Sequence, residues 1–136
     1  MDIETFVVPF HHEEHGTHHV TIEVRELDDD YYLTCSLPGT SEIVTATESD
    51  AFSALQILRR KTEGKLWMIC CMGSRQNVWP SAMSRDMGGG FKAYILLPGK
   101  QATDLVYVFD PDTPEYYSTV ADQEAYSRSW FASLGS

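Results

Sequence analysis

Alternation is the clearest pattern in the chain. Val20, Ile22 and Val24 alternate with Thr21, Glu23 and Arg25, and Tyr31, Leu33, Cys35 and Leu37 resume the same period after an interruption. A period of two places apolar side chains on one face of a strand and polar ones on the other. Two antiparallel strands are therefore predicted, joined by a turn at Asp28-Asp29-Asp30 and closed by Pro38-Gly39. A short strand over residues 5–10, stopping near Pro9, precedes them, and another over 42–46 follows. The period then becomes that of a helix, with Ala51, Ala54, Leu55 and Leu58 at i, i+3, i+4 and i+7. Thr47-x-x-Asp50 reads as its capping pair, Arg59, Arg60 and Lys61 sit at the negative end of its dipole, and Gly64 ends it.

Residues 66–97 break both periods. The run 66–72 is apolar, carries a Trp and no charge, and by length fits a strand buried on both faces, ended by Gly73. Pro80 suits the first residue of a short helix, on which Met83 and Met87 share a face and which Gly88 terminates. Gly89 and Gly90 then admit the chain to a second strand over 91–97. After Pro98-Gly99 a last strand is predicted over 104–110, then an extended loop from Asp110 to Pro114. Thr119-x-x-Asp122 opens a terminal helix with Tyr126, Trp130 and Leu134 at a spacing of four, stopped by Gly135. This order implies a single α+β domain: a mainly antiparallel sheet with two longer helices and one short helix packed on it.

Charge narrows the choice of partners. The 136 residues hold 20 acidic against 10 basic side chains, a net charge of −10. Nucleic acid and anionic membrane are disfavoured as partners, because phosphate contacts need clustered Lys and Arg. A basic protein partner fits better, and the acids are unevenly placed, at Asp28 to Asp30 and again at Asp104, Asp110, Asp112, Glu115, Asp122 and Glu124. Three cysteines, two of them adjacent in the most apolar run, suggest reduced, buried thiols and hence a cytoplasmic setting. The acidic start Met1-Asp2-Ile3-Glu4 is unlike a signal peptide, and no apolar run is long enough to span a bilayer.

Arg75, Ser81, Arg85 and Lys92 concentrate three cations in an acidic chain. One reading makes them an anion pocket, with a helix start near Pro80 and the Ser81 hydroxyl converging on phosphate or carboxylate. The other has Arg75 and Arg85 bind carbonyls or acids of the same domain while Trp79, Met83 and Met87 fill the core. The glycine run lacks the spacing of a nucleotide-binding loop. All five histidines fall between 11 and 19, and His11-x-x-Glu14-His15 formally matches an inverted zinc-protease pattern. That chemistry needs a helix, and Pro9 and Gly16 bracket too short a stretch, so a polar hairpin loop is expected, with no metal site and no cofactor. Asp110 and Asp112 lack the pattern of a calcium loop.

The run Tyr126-Ser127-Arg128-Ser129-Trp130-Phe131-Ala132-Ser133-Leu134 resembles a Tyr-x-x-Ser-Trp-x-x-Ser-Leu pattern of bacterial immunity proteins, which neutralise contact-dependent growth-inhibition and other polymorphic toxins. The resemblance covers nine residues of the chain. It implies a small cytosolic protein that binds one toxin domain, often a basic nuclease, and has no catalysis of its own. The surfaces expected to meet that partner are Asp28, Asp29 and Asp30, and the strip holding Asp104, Asp110, Asp112 and Glu115. The alternative is an anion- or nucleotide-binding domain built around Arg75, Ser81, Arg85 and Lys92.

Overall fold

The computed structural model describes residues 2–134. Strands β1 (Asp2–His12), β2 (Gly16–Leu27), β3 (Asp30–Ser36) and β4 (Ile43–Glu48) form an antiparallel meander, followed by helix α1 (Ala51–Glu63). Strand β5 (Met68–Ile69) returns to pair with β1, giving a five-stranded sheet in the order β4-β3-β2-β1-β5. A second antiparallel sheet holds β6 (Val78–Trp79), β7 (Lys92–Ile95) and β8 (Leu105–Tyr107), with helix α2 (Ala82–Gly88) between its first two strands. Helix α3 (Val120–Leu134) closes the described chain, and the fold is α+β.

Alternation does what its period requires. Val20, Ile22, Val24, Leu33, Cys35, Val44 and Ala46 point inward, where Ala54, Leu55 and Leu58 of α1 cover them. Fully burying a Leu or Ile side chain contributes about 1.5–3 kcal/mol, so this one layer supplies much of the driving force. On the opposite face of the sheet Ile3, Val7, Leu27, Tyr32 and Ile43 stay exposed, with no helix of the described residues covering them. Asp28 and Asp29 have φ of 53° and 66°, the two left-handed residues that a tight hairpin between twisted strands demands. Aspartate tolerates that region because its short carboxylate can bond locally.

Several elements differ from expectation. β1 runs through Pro9 for 11 residues, to His12, because the proline carbonyl still accepts from Cys70 N at 2.8 Å while β2 pairs along the other side. The apolar run 66–72 is not a long strand: only Met68 and Ile69 are in one. Leu66 and Trp67 belong to the turn that ends α1, with Trp67 N donating to Thr62 O. At 72–74 the chain enters a single 3-10 turn in which a Cβ on Gly73 would lie 2.6 Å from Val108. The residues are apolar because an irregular path is buried. The last strand shrinks to β8, Leu105–Tyr107.

Capping also shifts. Asp50, not Thr47, caps α1, its carboxylate accepting from Ser53 N at 2.8 Å and Ser53 Oγ at 2.7 Å. Gly64 ends α1 as predicted. Pro80 lies outside α2, which Ser81 caps by accepting from Ser84 N at 3.0 Å. Met83 and Met87 are 69% and 82% exposed, so they do not fill the core; Trp79 is half-buried against Phe52. Gly89 supplies the left-handed end of α2, and Gly90 sits so close to α1 that a Cβ would lie 2.6 Å from Asp50 Oδ1. Thr119 caps α3 as predicted, while the buried stripe is Val120, Gln123, Ser127 and Trp130, with Leu134 exposed. Gly135, expected to stop the helix, lies outside the described residues.

One cation was misplaced by its position at a helix end. Arg59 is fully buried. Its guanidinium donates to Gln123 Oε1 at 2.6 Å, to Gly73 O at 3.3 Å and to Ser118 O. Gln123 Nε2 in turn donates to the carbonyls of Gly73, Arg75 and Val78 at 2.8, 2.8 and 3.0 Å. This knot ties α1 to α3 and to the 72–78 segment.

Candidate partner-binding surface

The strand register decides where the acids fall. Asp2 stands opposite Glu26, Leu27 opposite Asp30, and Tyr31 opposite both Glu26 and Glu48. One end of the main sheet therefore gathers Asp2, Glu4, Glu26, Asp28, Asp29, Asp30 and Glu48. None of these seven carboxylates is in an ion pair among the described residues. Like charges directly opposed on neighbouring strands, as at Asp2 and Glu26, cost rather than contribute stability. The Tyr31 phenol registers the local field: burial raises its pKa, and a hydrogen bond to Glu26 and the charges of Glu26, Asp50 and Asp29 raise it further.

A groove joins this end to the second sheet. About 330 Å³ in volume, it is lined by Glu4, Phe6, Phe91, Tyr107, Phe109 and Asp110. Phe6 stacks on Phe109 at 4.6 Å between ring centroids, which brings β1 against the segment after β8. Asp110 is thus placed beside the acidic sheet end. The rest of the C-terminal strip is divided. Asp112 is held by Arg75 at 2.6 and 3.0 Å, exposed Asp104 precedes β8, and Glu115 rims a separate cleft.

The four residues of the anion reading do not converge. Arg75 forms its bidentate pair with Asp112 and lies 4.1 Å over the Tyr116 ring; the hydrogen bond to Asp112 holds the guanidinium above its ordinary pKa. Ser81 caps α2. Arg85 donates to Ser53 Oγ at 2.5 Å, stands 3.5 Å from Asp50 and lies over Phe52 and Trp79. Lys92 sits 5.4 Å from the centroid of the Tyr107 ring. The large cleft beside Arg75, about 610 Å³, is rimmed by Glu115 and Asp122, which repel an anion. Arg25, Arg60 and Lys65 likewise pair with Glu23, Glu124 and Glu42, and Lys61 bonds Thr45 O. With Arg59 buried, eight of the ten cations are engaged within the chain.

Burial pushes the thiols of Cys35 and Cys70 up to about 11 and about 12 and raises Cys71 as well, so at neutral pH none is a thiolate nucleophile. The histidine segment is the β1–β2 hairpin, and the helical pattern of a zinc protease is not formed. Among the described residues no group of three or more His, Cys, Asp and Glu could hold a metal ion, and no helix is long and apolar enough to cross a membrane. No protein-family model matches the chain, and no curated protein is significantly similar to it.

Proposed function

We propose that the protein is an immunity-type binding protein that docks a basic toxin domain on the acidic end of its main sheet. The observation that supports this reading is an asymmetry in how the charges are partnered: five of the ten cations are in ion pairs and three more, Arg59, Lys61 and Lys92, make other internal contacts, while the seven carboxylates at the sheet end have no cationic partner among the described residues. Unpaired charge of one sign raises the encounter rate with an oppositely charged partner and rejects like-charged ones. Aromatic rings in the adjoining groove, with Glu4 and Asp110 beside them, suit a Lys or Arg side chain of such a partner. In this reading the protein acts in the cytosol by occupying its partner, without catalysis.

The test is co-purification with the product of the adjacent reading frame, in low and in high salt. Association that weakens with salt, and that slows about tenfold or more in on-rate in a D28N/D29N/D30N variant, is expected. Asparagine is chosen because it tolerates the left-handed turn as aspartate does. A neighbour that is not a toxin, or no association in low salt, sinks the proposal.

A further inference from the structure

At the opposite end of β1 and β2 lies a second, unrelated cleft. About 310 Å³ in volume, it is bounded by the hairpin turn at 13–15, the turn after α1, and the segment leading into α3. Its walls are mainly apolar and aromatic, formed by Leu66, Trp67, Met68 and the ring of Tyr117, with the His12 imidazole and Thr119 beside them. Its carboxylates are Glu13, Glu14 and Glu63, and no Lys or Arg lines it.

These groups are held in place before any ligand arrives. Glu63 Oε2 accepts from the Tyr117 hydroxyl and from Val120 N at 3.0 Å, which fixes one carboxylate at the floor. The Trp67 ring is packed by three imidazoles, with His12, His18 and His15 centroids at 5.0, 5.8 and 6.1 Å. His12 is buried and accepts from Glu14 N at 3.0 Å, while His18 Nε2 bonds His15 O at 2.8 Å, so the turn that carries Glu13 and Glu14 is pinned. Burial keeps the Tyr117 phenol protonated well past its ordinary range. Leu66 sits at the cleft with φ of 66° and is 69% exposed. An apolar residue in that conformation does not repay its strain by burial, and its side chain can form no local hydrogen bond as Asn or Asp would; only its backbone N–H donates locally, to Glu63 O at 3.0 Å.

An apolar, aromatic hollow with three carboxylates and no Lys or Arg complements one class of ligand, the organic cation. Aromatic faces attract ammonium and guanidinium groups, the carboxylates neutralise the charge, and the apolar wall takes the methylenes or methyls around it. We propose that this cleft binds an alkylammonium or guanidinium group, its charge between Glu13, Glu14 and Glu63 and its apolar part on Trp67 and Leu66. The site stands apart from the acidic sheet end and does not depend on the function proposed for it. The same chemistry is presented by a free amine and by a Lys or Arg side chain of another protein.

Nuclear magnetic resonance of the whole chain decides the matter, read at the Trp67 indole N–H and the Leu66 amide. Choline and N-acetylarginine amide serve as probes, with 3,3-dimethylbutan-1-ol as the neutral isostere of choline. Saturable shifts with at least one cation and none with the isostere are expected, and Glu13→Gln/Glu14→Gln should raise the dissociation constant about tenfold or more. Both positions are exposed, so the variant is expected to keep the spectrum of the folded protein. A short capped peptide around arginine separates the sources: binding tighter than N-acetylarginine amide marks a protein side chain, and binding no tighter marks a free cation. No shift at Trp67 up to about 100 mM of either cation, equal shifts with the neutral isostere, or undiminished binding in the double variant overturns the proposal.

Discussion

Gln123→Leu is the substitution that most directly tests how this fold is held together. Leucine is close to glutamine in volume, so the change leaves no large cavity and isolates the hydrogen bonds. The amide oxygen accepts from buried Arg59 at 2.6 Å, and the amide nitrogen serves the carbonyls of Gly73, Arg75 and Val78. Two of those carbonyls keep another donor, since Gly73 O also accepts from Arg59 at 3.3 Å and Arg75 O from Val78 N at 3.3 Å. The main loss is therefore the bond to the guanidinium, whose Nε already lacks a partner among the described residues. A bond to a charged group contributes about 1.5–3 kcal/mol, and a buried group left without its partner costs about 1–3 kcal/mol more. A total of about 3–5 kcal/mol is expected, a large share of the roughly 5–15 kcal/mol that holds a domain together. With a urea slope of about 1–3 kcal/mol per molar, the unfolding midpoint should fall by about 2 M. Gln123→Glu, which keeps an acceptor for Arg59 but removes the donor, should lose less if the guanidinium bond dominates. A Gln123→Leu midpoint within about 0.3 M of the parent would refute the reasoning, because a slope in that range converts so small a shift to less than one ordinary hydrogen bond.

Trp130 is buried and its indole N–H donates to Leu97 O at 2.9 Å and Lys100 O at 3.0 Å, so Trp130→Ala should cost about 3–5 kcal/mol in urea unfolding. Trp79→Ala, at a half-buried site, should cost distinctly less in the same assay. Gly90→Ala must displace Asp50 Oδ1 at 2.6 Å and Phe52 N at 2.9 Å at a φ of +75°, whereas Gly99→Ala meets open space at a φ of +71°; the first should lower the thermal midpoint by several degrees more than the second. Cys35 and Cys70 have folded-state values raised above 9.0, so their contribution is complete below about pH 9 and is lost as pH rises toward about 11 and about 12. Urea midpoints followed from pH 8 to 11 should fall, and Cys35→Ala/Cys70→Ala should flatten that fall.

What could be read from the sequence was local. The strands at Val20 to Val24 and Tyr31 to Cys35, the turn at Asp28 and Asp29, the apolar stripe of α1 and the Thr119 cap each rest on residues within a few positions of one another. Those elements formed where their patterns fell, and together they already implied an α+β fold. Even Arg59 left a local trace, since it continues the stripe Ala51, Leu55 at a spacing of four, although a charge at a helix end looked sufficiently explained by the dipole. The rest depended on pairings distant in sequence. The acidic end exists because β1 and β2 pair as a mirror about Glu14, which brings Asp2 and Glu4 alongside Glu26 and the Asp28–Asp29 turn. Arg75 was lost to an anion site because Asp112, 37 residues away, folds back onto it. Gln123 meets Arg59 across 64 residues, and Trp67 meets its histidines only once β5 has joined β1. Periodicity reports which face of an element is buried; which charges are neutralised and which cleft they line is set by the elements that pack there, and no window of sequence contains both partners.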